Sequence, residues 1–458
     1  MPWSILEALR NDPQKLIESM KKRCLDPKPV YEAIEIDKKW REVLQKVEKV
    51  RAQHNKITRA IPKAPPEERK KLIEEAKELL KKREELEREL KELEREREEK
   101  LLSLPNLVHE SVPEGCDEEN NQPIRFWGRP KVWKGYVEQF KSQTERYGFS
   151  VEFEELEEKP VPHADMLEEV LRLGDTLKAA QVASSRFYYL FQDLVWLDLA
   201  LILYALDNLS KKGFVLVEPP YMIRYKYLMG VIDIETFKDA IYKIEDEDLY
   251  LIATAEHPLA SYKANEIIDE KDLPIKLAGV SPCFRREAGA ANRDLKGIFR
   301  VHQFHKVEQF VYSRPEESWD ILEELVKNAE ELIRGLGLPY RVVNICGGEL
   351  GYPAAKKYDI EVWYPAQGRY RELVSASNCT DWQSYRLNIR YRIKGGKKHD
   401  YVHLLNSTAL ATTRTITAIL ENYQLPDGRV EIPKVLRKYL EPFEAAPKEY
   451  IAPRERKP

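Results

Sequence analysis

Apolar residues between Val30 and Ile61 recur at helical spacing: Ile34, Trp40, Val43, Val47, Val50, Ile57 and Ile61 approximate one stripe. The prolines of Pro62–Pro66 interrupt it. A second periodic stretch runs from about Glu67 to Leu102, with Leu72, Ala76, Leu79, Leu86, Leu90 and Leu93 stepping by four and three. Arg83 and Arg97 fall in register with that seam as two polar interruptions. Glu67–Lys71, Glu84–Arg88 and Glu96–Lys100, each four apart, support the helix outside the seam. Two long helices joined by a short proline-rich turn predict an antiparallel coiled-coil hairpin. Upstream, Asp12-Pro13 reads as a helix start.

Past the hairpin the pattern changes. Leu104–Pro130 is polar and punctuated by Pro105, Pro113 and Pro123. It reads as a linker over 105–130, between an arm at 1–104 and a globular domain at 131–458. That domain mixes periods. A long apolar helix starts near Phe191, and a strand follows Gly213. Leu249–Tyr262 passes from an apolar strand into a helix, and Val326–Leu336 is helical. Tyr340–Ile345, Tyr358–Trp363 and the stretch after Arg371 read as strands, and Ile416, Ile419, Leu420 and Tyr423 share a helix face. Pro282–Glu287 and Phe299–Phe310 read as two strands around a polar loop at 288–297. The fold class is α+β. A period of two puts His302, Phe304, Lys306 and Glu308 on one face. Such a face is costly as core and suits the floor of a site for a charged, ring-bearing ligand.

Composition narrows this. The 458 residues leave room for two or three domains, and the net charge of −3 means that nucleic-acid affinity needs a local patch. Lys38–Lys63 supplies one, with nine basic residues against two acidic, whereas Glu67–Lys100 holds fourteen acidic and twelve basic. One helix is a cationic rail and its neighbour is not, which suits a phosphate backbone. No apolar run approaches the roughly 18 residues of a membrane span, and Met1–Arg10 lacks the layout of a secretory signal. Five scattered cysteines without a C-x-x-C pair argue for a reducing compartment and against a disulfide framework or a structural zinc site. The expectation is a cytoplasmic protein without zinc.

The motifs add a resemblance. FRRE at Phe284–Glu287, then RVHQF at Arg300–Phe304, resembles motif 2 of the class II aminoacyl-tRNA synthetases, and the continuation HQFHKVEQF is similar to the seryl-tRNA synthetase family. Gly213 through Pro220 fits motif 1, which in the family builds a dimer interface with the preceding helix. Thr254-Ala255-Glu256 matches the family's threonine-x-glutamate, and His403–Arg414 resembles motif 3. Motif 3 departs from the usual pattern in carrying Ser407 and Ala409 for two glycines and Thr413 before the arginine, which puts the local role of Thr408 in question. The N-terminal hairpin agrees in place and length with the arm that embraces tRNA.

The resemblance implies ATP-dependent activation of L-serine and its transfer to tRNA(Ser), with tRNA(Sec) left open as a second acceptor, by a homodimer. Arg285 and Arg414 are the implied catalytic arginines, on the α- and γ-phosphates. Arg286, Glu287, Val301, Phe304, Glu372, Leu373, Val374 and Ser375 complete the implied ATP site, with Glu372 and Ser375 near Mg²⁺. Phe304 is the implied platform for adenine. Thr254, Ala255, Glu256, Arg285, Glu308, Asn406 and Thr408 are the implied serine site, Glu308 and Thr408 reading the hydroxyl. Lys38, Lys39, Arg41, Lys46, Lys49, Arg51, Lys56 and Arg59 are the implied contacts to tRNA. A non-catalytic tRNA-binding relative, a ligase loading carrier proteins and a plain coiled-coil tether are the competing readings, and none accounts for both the arm and the retained charged positions.

Overall fold

A computed structural model describes residues 4–233, 239–287, 294, 296–393, 396 and 398–455. The chain divides into two compact units, 2–107 and 108–458.

The first unit is helical: α1 (Ser4–Asn11), α2 (Pro13–Lys22), α3 (Lys28–Ala60) and α4 (Pro66–Leu102). The hairpin boundaries match the periodic stretches, because proline sits in the first turn of α2, α3 and α4, where its missing N–H costs nothing. Val43, Val47 and Val50 bury the seam of α3, and Ala76 that of α4. Both polar interruptions of the α4 seam are ion pairs. Arg97 Nε reaches Asp37 Oδ1 at 2.7 Å, where Arg10 and Arg41 also converge on the same carboxylate. Arg83 and Arg51 share Glu87 at 3.3 and 2.9 Å.

The second unit is built on an eight-stranded sheet. In chain order its strands are β1 (Gln122–Trp127), β2 (Val215–Val217), β3 (Ile275–Phe284), β4 (Gln303–Ser313), β5 (Tyr340–Asn344), β6 (Lys356–Tyr364), β7 (Arg369–Asn378) and β8 (His403–Ala411). Their spatial order is β1-β5-β6-β7-β8-β4-β3-β2, antiparallel except for the β2–β3 pair. Helices α5 (Asp193–Ser210), α7 (Ser318–Gly335) and α9 (Thr412–Asn422) cover one face, where Val307, Val311, Ile360, Val374 and Leu405 join the largest core. Helix α6 (Glu256–Ser261) packs on the other face against Phe310, Tyr312 and Leu404, and α8 (Trp382–Arg386) follows β7.

Two expectations are corrected. The stretch 105–130 is not simply a linker, because Gln122–Trp127 pairs antiparallel with β5 as the edge of the sheet. Its prolines misled because Pro123 is tolerated on an edge strand, where one side of the backbone lacks a ladder partner. Among the described residues, Cys283, Cys346 and Cys379 are free and buried. The strands of motif 2 also shift. β3 ends at Phe284 and β4 starts at Gln303, since the backbone N–H groups of Arg285 and Arg286 bond to His302 and Ala240. Of the expected loop at 288–297, residues 288–293 and 295 lie outside the described residues. Among the described residues no helix is long and apolar enough to cross a membrane.

Candidate active site

Strands β3, β4, β7 and β8 floor a cleft on the α6 side of the sheet. The register places Cys283 opposite Phe304, Gly279 opposite Glu308, and Glu308 opposite Thr408. Arg285, just past β3, is fixed through its backbone: its N–H donates to the carbonyl of His302, and its carbonyl lies 2.8 Å from His302 Nδ1. Phe187 stacks on that imidazole. The Arg285 guanidinium lies 5.1 Å from the Phe304 ring centre and donates to the carbonyl of Ala253 at 3.4 Å. No carboxylate holds it in a described ion pair. A cation so placed, beside an aromatic face, is ready for an anion attached to a flat ring.

Glu287, Phe299, Arg300, Val301, Phe304, Lys306, Leu373, Thr408, Ala411, Thr413 and Arg414 enclose this pocket together with Arg285 and Glu372. Arg300 donates to Glu287 at 2.8 Å. Arg414, at the start of α9, donates to the Glu372 carbonyl at 2.9 Å, and its guanidinium lies over Phe299. A larger polar cavity of 690 Å³ adjoins at Glu372 and Arg414 and contains Asp359, Glu361 and Arg371.

Two β-bulges decide which side chains face the cleft. On β7 the pairing slips, so that Asp359 faces Ser375 and Glu361 faces Glu372. Asp359 and Glu361 are two apart and share a face; Glu372 and Ser375, three apart, therefore share it too. On β8 a second slip lets Thr408 oppose Glu308 while Ala411 opposes Lys306. Without the bulges one member of each pair would point into the core. The four oxygen-bearing side chains on β6 and β7 interact. Burial and then the neighbouring Glu372 push the Asp359 carboxyl up, and its Oδ1 has no hydrogen-bond partner among the described residues. Burial also opposes charge on Glu372, but Arg414, Lys357 and Arg285 outweigh it and hold that carboxyl below its ordinary range. Glu372 stays 46 % exposed to the cleft.

Deeper in, polar groups close on one another. Glu308 is 1 % exposed, ion-paired to Lys306 and 3.4 Å from the Thr254 hydroxyl. Lys306 also donates to Thr408 at 3.4 Å. The Thr254 hydroxyl accepts from the Glu256 N–H at the start of α6. Glu256 Oε1 accepts from Gln383 Nε2 at 2.8 Å and Asn406 Nδ2 at 3.1 Å. Burial, reinforced by Glu308, pushes the Glu256 carboxyl up to about 7. His257 is driven down to about 3 by burial and by Lys306 and Arg285, so it is neutral.

The family model described as "tRNA synthetase class II core domain (G, H, P, S and T)" matches residues 241–423, and the one described as "Seryl-tRNA synthetase N-terminal domain" matches 6–108. A serine–tRNA ligase from Ignicoccus hospitalis is 78% identical over 454 residues, 99% of each chain. The chain belongs to the seryl-tRNA synthetase family. The crystal structure of a seryl-tRNA synthetase from Pyrococcus horikoshii, complexed with ATP, is 54% identical with a TM-score of 0.93 over 98% of this chain and 99% of that one. A cytoplasmic serine–tRNA ligase from Naegleria fowleri, in complex with AMP, is 36% identical with a TM-score of 0.82, covering 97% and 96%.

Against the synthetase motifs, most residues singled out in the sequence meet in this cleft. Arg285, Glu287, Val301, Phe304, Glu372, Leu373, Thr408 and Arg414 line one pocket, and Thr254, Glu256, Glu308 and Asn406 adjoin it through hydrogen bonds. Three do not present side chains there. Arg286 is exposed, and the Val374 side chain lies in the core. Ala255, the N-cap of α6, is buried in the core on that side. The motif 3 departures are accommodated. Ser407 is buried and donates to the Thr408 carbonyl, and Ala409 packs into the core. Lys306, Phe299, Arg300 and Gln383 went unassigned; Lys306 was visible on the Phe304–Glu308 face, whereas nothing in the spacing marks Gln383. On the arm all eight cationic positions are exposed. Lys39, Arg41 and Arg51 are tied to Glu35, Asp37 and Glu87, while Lys38, Lys46, Lys49, Lys56 and Arg59 have no ion pair among the described residues. Also among the described residues, no group of three or more His, Cys, Asp or Glu is placed to share a metal ion.

Proposed function

We infer that the protein activates L-serine with ATP to seryl-adenylate, releasing pyrophosphate, and transfers the seryl group to the 3′ end of tRNA(Ser). The observation that carries this is the adjacency of two pockets: a flat aromatic and cationic one around Phe304, Arg285 and Arg414, and a closed polar one around Glu256, Glu308 and Thr408. Serine's carboxylate attacks the α-phosphorus, expelling pyrophosphate, and a ribose hydroxyl then attacks the carbonyl of the mixed anhydride, expelling AMP. Neither step needs an enzyme nucleophile; both need positioning and neutralised charge.

Arg285 spans the α-phosphate and the serine carboxylate, and Arg414 takes the γ-phosphate. Phe304 stacks on adenine, with Glu287 beside its exocyclic amine. Val301, Arg286, Leu373 and Val374 contribute to the ATP site through their backbone. Thr254 and Glu256 hold the ammonium group, and Glu308 with Thr408 reads the hydroxyl. Mg²⁺, which neutralises the phosphate chain when bound, would be held by Glu372 and Ser375; the all-oxygen face and the unpaired Oδ1 of Asp359 fit a hard cation. The homodimer assignment is supported by Val195, Leu199 and Leu203, exposed at intervals of four on α5, beside exposed Val215 and Leu216 on β2. The arm receives tRNA along α3, and the reactants place the protein in the cytoplasm.

Amino-acid-dependent ATP–pyrophosphate exchange tests the first step: serine must support it and glycine, alanine and threonine must not. Removing 30–102 should leave that exchange intact and cripple transfer to tRNA. Full transfer by the truncated protein would make the arm a spacer.

A further inference from the structure

Glu256 has two carboxylate oxygens in different circumstances. Oε1 is gripped by two side-chain amides, Gln383 at 2.8 Å and Asn406 at 3.1 Å. Oε2 makes no hydrogen bond among the described residues and is not one of the buried unpaired atoms, so it faces open space. Gln383 is fully buried on α8, and the same Nε2 also donates to the Val231 carbonyl at 3.0 Å, which fixes the amide plane. Its Oε1 has no partner among the described residues, so the amide's described bonds are all donated.

We propose that Gln383 is a positioning residue of the amino-group site, turning Oε2 of Glu256 to the substrate ammonium and keeping the carboxylate ionised. The inference rests on the assignment of Glu256 to the ammonium group. Its physical basis is that a buried carboxylate holds its charge only where donors replace water. The groups facing Glu256 pull both ways. Glu308 on β4 opposes its charge, Lys306 on β4 and Arg285 past β3 favour it, and the neighbouring His257 on α6 is neutral. With burial pushing the carboxyl up to about 7, one donor decides how much of it is ionised at neutral pH.

The test is the pH dependence of the serine KM in ATP–pyrophosphate exchange, from about pH 6 to 8.5, where the substrate ammonium stays protonated. In the wild type this KM should rise as pH falls and Glu256 protonates. Gln383→Met removes the donor; a bond to a charged group is worth a factor of roughly ten or more. The serine KM at pH 7 should rise by that factor, the acid limb should move to higher pH, and the KM for ATP should hold. Gln383→Glu keeps the shape. Two adjoining carboxylates share one proton, so its serine KM should stay near wild type at neutrality and climb as that proton leaves. A KM raised equally at every pH in Gln383→Met, or unchanged, overturns the proposal; if that variant does not fold, Gln383→Glu decides, and a uniform loss there overturns it. Glu256→Gln separates the underlying assignment: an unchanged serine KM there removes the ammonium reading itself, whatever Gln383 does.

Discussion

The arm and the catalytic sheet treat charge in opposite ways. In the arm, each polar interruption of the seam meets a partner: Arg97 finds Asp37, and Arg83 and Arg51 share Glu87. Lys38, Lys46, Lys49, Lys56 and Arg59, without an ion pair among the described residues, stand exposed on α3. In the sheet, charges lie inside and incompletely matched. Among the described residues, the Arg285 guanidinium bonds only a backbone carbonyl and Asp359 keeps an unpaired oxygen, while the Glu256 carboxyl is pushed up by its surroundings. Closed pairs hold an extended helical hairpin straight. Open ones are held in wait for a ligand that completes them. The same residue types thus serve rigidity in one unit and chemistry in the other.

The largest expected effect strikes the sheet. Alanine differs from serine by the hydroxyl alone, and an apolar pocket would reject it weakly. A pocket built to bond the hydroxyl leaves buried polar groups unpaired and discriminates by about 10⁴ or more. Glu308→Ala should lose most serine activation and most of that preference, with ATP binding little changed. Because the change also strands Lys306, which is buried, Glu308→Gln is the cleaner companion. Exchange kinetics with both amino acids decide it. A wild-type serine-to-alanine ratio would make Glu308 structural and close the contrast with the arm.

A smaller effect strikes the arm where it most resembles the sheet. Asp37 is 1 % exposed and accepts from Arg10, Arg41 and Arg97, joining α1, α3 and α4. Burial opposes its charge, but Arg10 and Arg97 outweigh burial and depress its carboxyl. A depressed carboxylate contributes fully above its unfolded value, about 4, and its contribution is lost as pH falls through the lower folded value. Asp37→Asn keeps the shape and strands three arginines. Loss of one buried partner costs about 3 kcal/mol or more, and Arg10 and Arg41 retain enough solvent to hold it near 2–3 kcal/mol. Hydrogen exchange across 28–102 should quicken accordingly while serine-dependent exchange persists. An unchanged arm would make the cluster surface decoration.

The two units were also unequally legible. A heptad is periodic, so the two helices of the hairpin, α3 and α4, could be read to within two residues of their ends, including the register of Arg97, whereas α1 was not legible and α2 only by its start. What Arg97 does there needed Asp37, one residue among many on α3. Several of the sheet's strands (β4, β5, β6 and β7) were legible by period, and Phe304 through Glu308 lie as that period requires. In contrast, β1 fell in the expected linker, β3 was legible only from Pro282, and β8 was not legible as a strand. The sheet's bulges were not legible either, since a bulge is one residue out of pattern. Glu372 with Ser375 and Thr408 with Ala411 cannot share a face on a regular strand, and only the slipped registers bring them together. Gln383 was invisible for another reason: a single amide on a five-residue helix carries no spacing signal.

The finest test divides the cations of α3 by their partners. At about 100° per residue, Lys38, Lys49 and Lys56 fall within about 20° of one line and span about 27 Å. The line runs opposite the seam of Val43, Val47 and Val50, and none of the three has an ion pair among the described residues. Every phosphate left without its cation lowers the slope of log affinity against log salt by about 0.7–0.9. Substituting all three by Gln should therefore flatten the salt dependence of tRNA binding by about 2 and weaken binding at low salt most. Substituting Lys39, Arg41 and Arg51, whose charges are already met by Glu35, Asp37 and Glu87, should change the slope less and the arm's stability more. Filter binding across a salt series distinguishes the two sets. Equal slopes would mean that pairing within the arm does not decide which cations are available to phosphate.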